Sequence, residues 1–430
     1  MPQDTDRKKR AKKKNLHLFE FLPVASIIGL MFVELDTAIA VLWCFLLLFL
    51  IIVLNMRANK YLRMILMIGF IVRVLFIFAD DKLSLVNYAW DDYHSVAIAI
   101  KQNIIDGIPI FSGIYLPLVF KTFSLFSSFF YLLFGDIALI IRITNAFFAI
   151  LIVERVYRIC IEIFENQNIA LKACLLVAFF PSFIIFTSLY LRDSLVFFLS
   201  VDLLYRVIIL LKLRRRSSVI FLIGDMVLIF FLRPQNIPLY LSIFTIYTIF
   251  SYFIKSSLPK KTLIIFLLTS TILFLFDRLE VTRDLLVNIN QIMISRTEGG
   301  SAYLPDIQYA TWLDIIKYLP IRFFYFTFGP APWDIDNSFM LLSFIESMFL
   351  LFFFVFFLRY SMNKVNFHNR YKLLLLVFSL TGLVANSLMD SNYGTAIRHK
   401  MNYVFVFMIF GSAYLAQYRI KITGMTLKRH

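Results

Sequence analysis

The sequence predicts an all-α fold, a polytopic bundle of about twelve membrane-crossing helices with two long outward loops, on three observations. Of 430 residues, 60% are hydrophobic and only 16% are charged, against roughly 25% charged in an ordinary globular domain. Mean hydropathy is +0.80. Apolar runs recur from Leu16 to Gln417, and each crossing takes about 20 mostly apolar residues because a backbone in lipid must satisfy its own hydrogen bonds. Disorder, a disulfide scaffold and a soluble enzyme are excluded on this reading.

Taken in order, apolar windows fall near 16–34, 37–55, 61–79, 137–157, 168–188, 194–212, 217–232, 238–254, 262–277, 337–358, 372–389 and 400–418. The windows 217–232 and 262–277 are short and call for an upright course. Three N-terminal helices (16–79) follow a basic tail (1–15). A first outer loop (80–136), core helices (137–277), a second outer loop (278–336), C-terminal helices (337–418) and a second basic tail (419–430) complete the organisation.

Charge sets the orientation. The connections assigned to one side, 1–15, 56–63, 154–172, 212–216, 255–261, 359–372 and 419–430, hold 28 Lys and Arg against 5 Asp and Glu. The outer segments 80–136 and 277–336 hold 8 against 14. Basic loops stay cytoplasmic, so both termini are predicted on the cytoplasmic side of an inner membrane. The net charge of +16 then reflects topology, and no nucleic-acid partner is expected. The run from Arg7 to Lys14 reads as a retained orientation signal in contact with anionic lipid headgroups, not as a cleaved leader. Cys44, Cys160 and Cys174 show neither disulfide nor zinc-site spacing.

The outer loops are too long for simple connections and too apolar for disorder. Both carry amphipathic stretches, Tyr115 to Phe134 and Thr311 to Phe328, expected to lie in the interface. The first also holds Trp90, Asp91, Asp92, Tyr93, His94, Ser95, Val96 and Ala97 ahead of a helix-like run. Adjacent acids there are either a helix N-cap pair or a reactive pair. Downstream come Leu133, Phe134 and Gly135, then Arg142, Thr144 and Asn145, then a Pro-Ser helix ending at Arg192 and Asp193.

In this order the segment from about Asp80 to Leu211 resembles the GT-C membrane glycosyltransferases, which take sugars from polyprenyl-phosphate carriers. The resemblance implies sugar transfer to an acceptor hydroxyl on a glycan, lipid or protein, outside the cytoplasmic membrane, in cell-envelope polysaccharide assembly. Asp91, Asp92 and Asp193 would be the catalytic acids. One of Asp91 and Asp92 would act as general base while the other stabilises the sugar or holds a metal. A divalent cation, Mg or Mn, would sit on Asp92 and Asp193.

The departing phosphate would be held by cations at outer helix ends, Arg192, Arg233, Arg398 and Lys400, since Arg grips phosphate through two parallel hydrogen bonds and Lys as a point charge. Snorkelling to headgroups is the alternative for each. Glu346 inside a span, His94 and His399 beside the proposed site, and Tyr93 are further substrate-binding candidates. Trp90, Trp312 and Trp333 are placed to stack on sugar rings or to form an interfacial aromatic belt. Two other readings use the same layout: a Wzy-type polymerase of lipid-linked repeat units, and a flippase or transporter for lipid-linked oligosaccharides. Asp202 and Asp225, deeper in their spans, read as structural pairs.

Overall fold

A computed structural model describes residues 34–86, 92–213, 217–255, 279–297, 301–362 and 369–427. Fifteen α-helices occur among them. These are α1 (Leu35–Leu54), α2 (Lys60–Leu83), α3 (Tyr93–Ile105), α4 (Leu118–Phe134), α5 (Ala138–Phe164), α6 (Gln167–Phe179), α7 (Pro181–Phe186), α8 (Asp193–Leu213), α9 (Ser217–Leu232), α10 (Asn236–Lys255), α11 (Leu279–Ser295), α12 (Trp312–Phe328), α13 (Ser338–Ser361), α14 (Arg370–Ser387) and α15 (Tyr393–Leu427). A short 3₁₀ turn at Pro332–Asp334 precedes α13.

The all-helical reading holds, and the span count does not. Among the described residues, four helices are long and apolar enough to cross a membrane, by length and composition: α1, α2, α8 and α13. The expected twelve-span bundle is corrected accordingly. The window 168–188 is broken, because Phe180 turns extended ahead of Pro181 and divides α6 from α7, as proline requires of the residue before it. The window 137–157 became a 27-residue helix that carries Arg142, Glu154, Arg155, Arg158 and Glu162. The window 217–232 stops at 16 residues. The window 262–277, nearly all of 16–34, and the basic run from Arg7 to Lys14 lie outside the described residues.

The core is built on α5, α8 and α15. Of the apolar stretch in α8, 61% is buried, against 17% in α1, so α8 runs through the middle and α1 along the edge. Helix α5 packs against α2, α6 and α8, while α15 packs against α13, α14 and α6. Close approach of α14 to α15 depends on Gly382: a Cβ there would lie 2.1 Å from the Tyr403 ring. The indole of Trp43 on α1 donates to Thr144 on α5 at 3.0 Å, which fixes the edge helix to the core.

The two stretches expected in the interface are α4 and α12. In α4 the inward face holds Ser124, Ser127 and Ser128 with Phe123 and Tyr131, while Phe129, Leu132 and Leu133 face out. In α12, Arg322 and Thr327 are buried while Leu313, Ile316, Ile321 and Phe324 are exposed. Both helices thus turn polar groups toward the protein, the reverse of the usual arrangement around an apolar core.

Candidate functional site

A turn between α7 and α8 positions the site. Its carbonyls would be costly if buried unpaired, and two side chains of α5 satisfy three of them, while a third, from α2, braces the turn's first side chain. Arg142 on α5 donates through Nε to Ser188 O at 3.0 Å while its Nη2 meets Asp80 Oδ2 at 2.6 Å. Asn145, one turn along, donates to Leu189 O and Leu191 O, both at 2.8 Å. Arg73 on α2 donates to Thr187 Oγ1 at 3.0 Å and to Ala178 O at 2.9 Å. The turn is thereby fixed, and so is its exit, Arg192 and Asp193.

Asp193 opens α8, where a carboxylate favours the positive end of the helix dipole, and it is buried. Arg233, which follows the last residue of α9, donates from Nη2 to Asp193 Oδ1 at 3.0 Å. Arg398, in the second turn of α15, reaches Asp193 Oδ2 from Nη2 at 2.6 Å and from Nε at 3.0 Å. Arg192 is 9% exposed. Its guanidinium lies 5.5 Å from the Phe120 ring centroid and 6.0 Å from that of Tyr93, and its Nη1 donates to Val119 O at 3.2 Å. Among the described residues, the guanidinium groups of Arg233 and Arg398 pair with one carboxylate, and that of Arg192 lies beside them without an ion pair of its own. The Nε atoms of Arg192 and Arg233 are buried without a hydrogen-bond partner. Burial, and next the Arg233 charge, pull the proton affinity of Arg192 below its ordinary value, with Arg398 acting in the same sense.

A second cluster adjoins the first through α15. His399 Nδ1 meets Asp390 Oδ2 at 2.6 Å, and Arg296, just beyond α11, pairs with Asp390 Oδ1. Burial would raise the Asp390 carboxyl, but His399 and Arg296 outweigh it and hold it below the usual range. Burial pulls His399 down to about 4; Asp390 opposes this and the Arg233 charge reinforces it, so the imidazole is neutral at ordinary pH. Lys400 turns elsewhere, donating to Thr327 O at 3.1 Å; burial draws it down to about 8, partly offset by Glu346. Glu346 on α13 accepts from Ser182 N at 2.5 Å and from the Ser182 hydroxyl, and so closes the N-terminus of α7.

Of the residues singled out from sequence, Arg192, Asp193, Arg233 and Arg398 converge directly, and Tyr93 joins them through its ring. His399 and Lys400 follow Arg398 on α15 but engage other partners. Asp91 and Trp90 lie outside the described residues. Asp92, immediately before α3, is exposed and makes no side-chain cap. His94 bonds Tyr131 Oη through Nδ1 at 2.7 Å. Trp333 is 73% exposed, its indole donating to Tyr325 Oη at 3.1 Å. A Mg or Mn ion at Asp193 does not fit the donor set, since both carboxylate oxygens accept guanidinium hydrogens and the surrounding charge is positive. Sequence reasoning missed Asp390, Arg296, Arg322 and Tyr303. The nine-residue step from Asp390 to His399, inside a stretch already marked for Arg398, was the available signal.

The chain matches no protein-family model and no curated protein. With four qualifying helices among the described residues in place of about twelve, and no group of three or more His, Cys, Asp or Glu among them placed to hold a metal, the resemblance to the GT-C glycosyltransferases is corrected. The assignments built on it fall with that architecture. These are the glycosyltransferase activity, the polymerase and flippase alternatives, the role in cell-envelope polysaccharide assembly, the polyprenyl-phosphate sugar donor with its glycan, lipid or protein acceptor, the membrane-lipid partners and the multi-pass inner-membrane placement. The reason is the same for each: local motif order and apolar windows imply a span architecture that the proline break, the short helices and the charged helices do not reproduce.

Proposed function

We propose that the chain binds a phosphate-class oxyanion through Arg192, Arg233 and Arg398, with Asp193 as the resident counter-ion. One observation carries this reading: a buried cluster of three arginines against one aspartate, in which two Nε–H donors have no partner. A buried charge costs several kcal/mol unless paired, so Arg192, which makes no ion pair among the described residues and keeps a buried Nε without a partner, calls for an anion. Guanidinium groups match the geometry of tetrahedral oxyanions and make charge-assisted hydrogen bonds to them. Asp193 preorganises the arginines in the ligand's absence, and the free Nε edges of Arg192 and Arg233 receive it. Donors from more than one arginine favour a ligand with several acceptor oxygens, such as phosphate, over acetate.

The test is titration of the purified full-length protein with inorganic phosphate at constant ionic strength, followed by calorimetry, with acetate as comparison. Saturable binding, tighter for phosphate and lost in Arg398→Ala, is expected. Absence of saturable phosphate binding, or equal response to both anions, rejects the reading.

A further inference from the structure

A third buried arginine environment stands apart from the Asp193 cluster. Arg322 on α12 is 0% exposed. Its Nε donates to Ser387 O at 3.0 Å, and its Nη2 donates to Asp390 O at 2.5 Å and to Ser391 Oγ at 3.1 Å. Every one of these acceptors is uncharged. Among the described residues no carboxylate lies within ion-pair distance of Arg322, and its Nη1 is buried without a hydrogen-bond partner.

Arg73 is the instructive contrast. It is also buried without a carboxylate among the described residues, yet its Nε and Nη1 donate to Thr187, Gly69 and Ala178, and it has no fully buried nitrogen without a partner. Arg322 is left incomplete on one edge.

Tyr303 is the neighbour that gives this edge a meaning. Its backbone N–H donates to Ser391 O at 2.9 Å, so Tyr303 and Arg322 are both tied to Ser391. The ring is clamped by Tyr393, 4.8 Å away between centroids, and Tyr325, 6.0 Å away. Its hydroxyl is buried and also without a hydrogen-bond partner, and it lies within the electrostatic reach of Asp390, Arg322 and Arg296. Two buried donors of this kind, one of them charged, are each expensive to leave unmade.

We propose that Arg322 Nη1 and the Tyr303 hydroxyl form a second subsite, which takes a small carboxylate group. One carboxylate oxygen accepts from the guanidinium and the other from the phenol. The ligand supplies the negative charge that Arg322 lacks, while Asp390 is already engaged by Arg296 and His399. This subsite does not depend on phosphate binding at Arg192.

The experiment titrates the full-length protein with ¹³C-formate at constant ionic strength, following the formate resonance by NMR and the unfolding temperature in parallel, with chloride as control. Wild type is expected to broaden the resonance saturably. Tyr303→Phe keeps the ring stack and removes only the hydroxyl, and it is expected to raise the half-saturating formate concentration about tenfold, the size of one charge-assisted hydrogen bond. Phosphate binding is expected to stay unchanged. Formate that acts no better than chloride, equal formate affinity in wild type and Tyr303→Phe, or displacement of formate by phosphate at the latter's own half-saturation each overturn the proposal. Should Tyr303→Phe fail to fold, wild-type broadening and the phosphate competition decide the question alone.

Discussion

Helix α8 carries two charge clusters about 13 Å apart along its axis, nine residues at 1.5 Å each, and they are built on opposite principles. Around Asp202 the signs balance: Glu154, Asp202 and Asp225 face Arg155, Arg158 and Arg206, joined in a chain of ion pairs. Arg155 and Arg206 also lie over the rings of Tyr205 and Phe221. Around Asp193 three arginines meet one carboxylate. A balanced network has satisfied its own charge and ties α5, α8 and α9 together. At the Asp193 end, by contrast, Arg192 makes no ion pair among the described residues and the Nε atoms of Arg192 and Arg233 are buried without a partner, which is why the N-terminal end of α8 reads as a site and its middle as a joint.

The largest expected effect removes the cation that grips Asp193 most fully. Arg398→Ala leaves a buried carboxylate with one ion-pair partner, so stability is expected to fall by about 3 to 5 kcal/mol, with phosphate affinity down at least about 100-fold. Denaturant melts and calorimetry on the same preparation check both. A variant that keeps wild-type phosphate affinity would place the anion elsewhere.

Asp202→Asn sharpens the contrast. It breaks the pairs to Arg155 and Arg206, and a loss of about 3 kcal/mol is expected. Phosphate affinity at the folded protein should not move. A parallel drop in affinity would mean that the two ends of α8 are one coupled unit, and the comparison would fail.

Acid titration separates the Asp390 cluster from both. An unfolded histidine protonates near 6.5, whereas His399 in the fold resists until about 4. Between those values the unfolded chain binds a proton that the native chain refuses, so stability falls as pH is lowered through this window and is flat above it, by up to about 3 kcal/mol. The Asp390 carboxyl, held below its ordinary value, contributes its own loss only at still lower pH. His399→Gln is expected to flatten the slope between pH 4 and 6.5 in urea titrations; an unchanged slope would assign it to another group.

How much of this was legible beforehand differs between the same regions. Arg192, Asp193, Arg233 and Arg398 stood out because charges at the ends of apolar runs are few, so convergence was a small guess among few residues. The partners were not legible. Arg142 and Asn145 act on carbonyls, which carry no sequence signature, and Arg322 lies in a stretch whose apolar character suggested a surface helix. The span count failed for a related reason. Hydropathy averages over a window, whereas Pro181 in one window and five charges along α5 act at single positions. Sequence also joined Asp92 to Asp193 on motif order, while in the fold the link from that loop to Asp193 runs through Tyr93 and Arg192.

Asp193→Asn tests the role of the resident carboxylate with a smaller change. Asparagine still accepts a guanidinium hydrogen, but the cluster then loses the charge of its resident carboxylate, and an arriving phosphate no longer competes with that anion for the forks of Arg233 and Arg398. Phosphate affinity is expected to rise about tenfold, equivalent to about 1.4 kcal/mol, a modest part of the Coulomb term for charges a few ångströms apart at an effective dielectric near 20. Unliganded stability is expected to fall, so thermal melts with and without phosphate should diverge more than in wild type. Weaker phosphate binding in this variant would make Asp193 a direct contributor to the ligand's contacts, and the internal counter-ion reading would be abandoned.

The smallest effect concerns the ring over Arg192. Tyr93 is buried, stacks on Phe120 at 5.5 Å between centroids, and holds the Arg192 guanidinium from α3, outside the ion pairs themselves. Tyr93→Leu keeps an apolar side chain of similar reach and removes the π-face, whose attraction for a cation is worth about 0.5 to 2 kcal/mol. A threefold to tenfold loss of phosphate affinity is expected, carried by faster release, because Arg192 loses orientation and keeps its charge. In rapid-mixing experiments the association rate should stay within about twofold, since long-range attraction sets it. A slower association with unchanged release would show that α3 controls access to the cluster and does not merely orient one arginine. That outcome would move the functional boundary of the site from the end of α8 into the loop that the acidic pair first drew attention to.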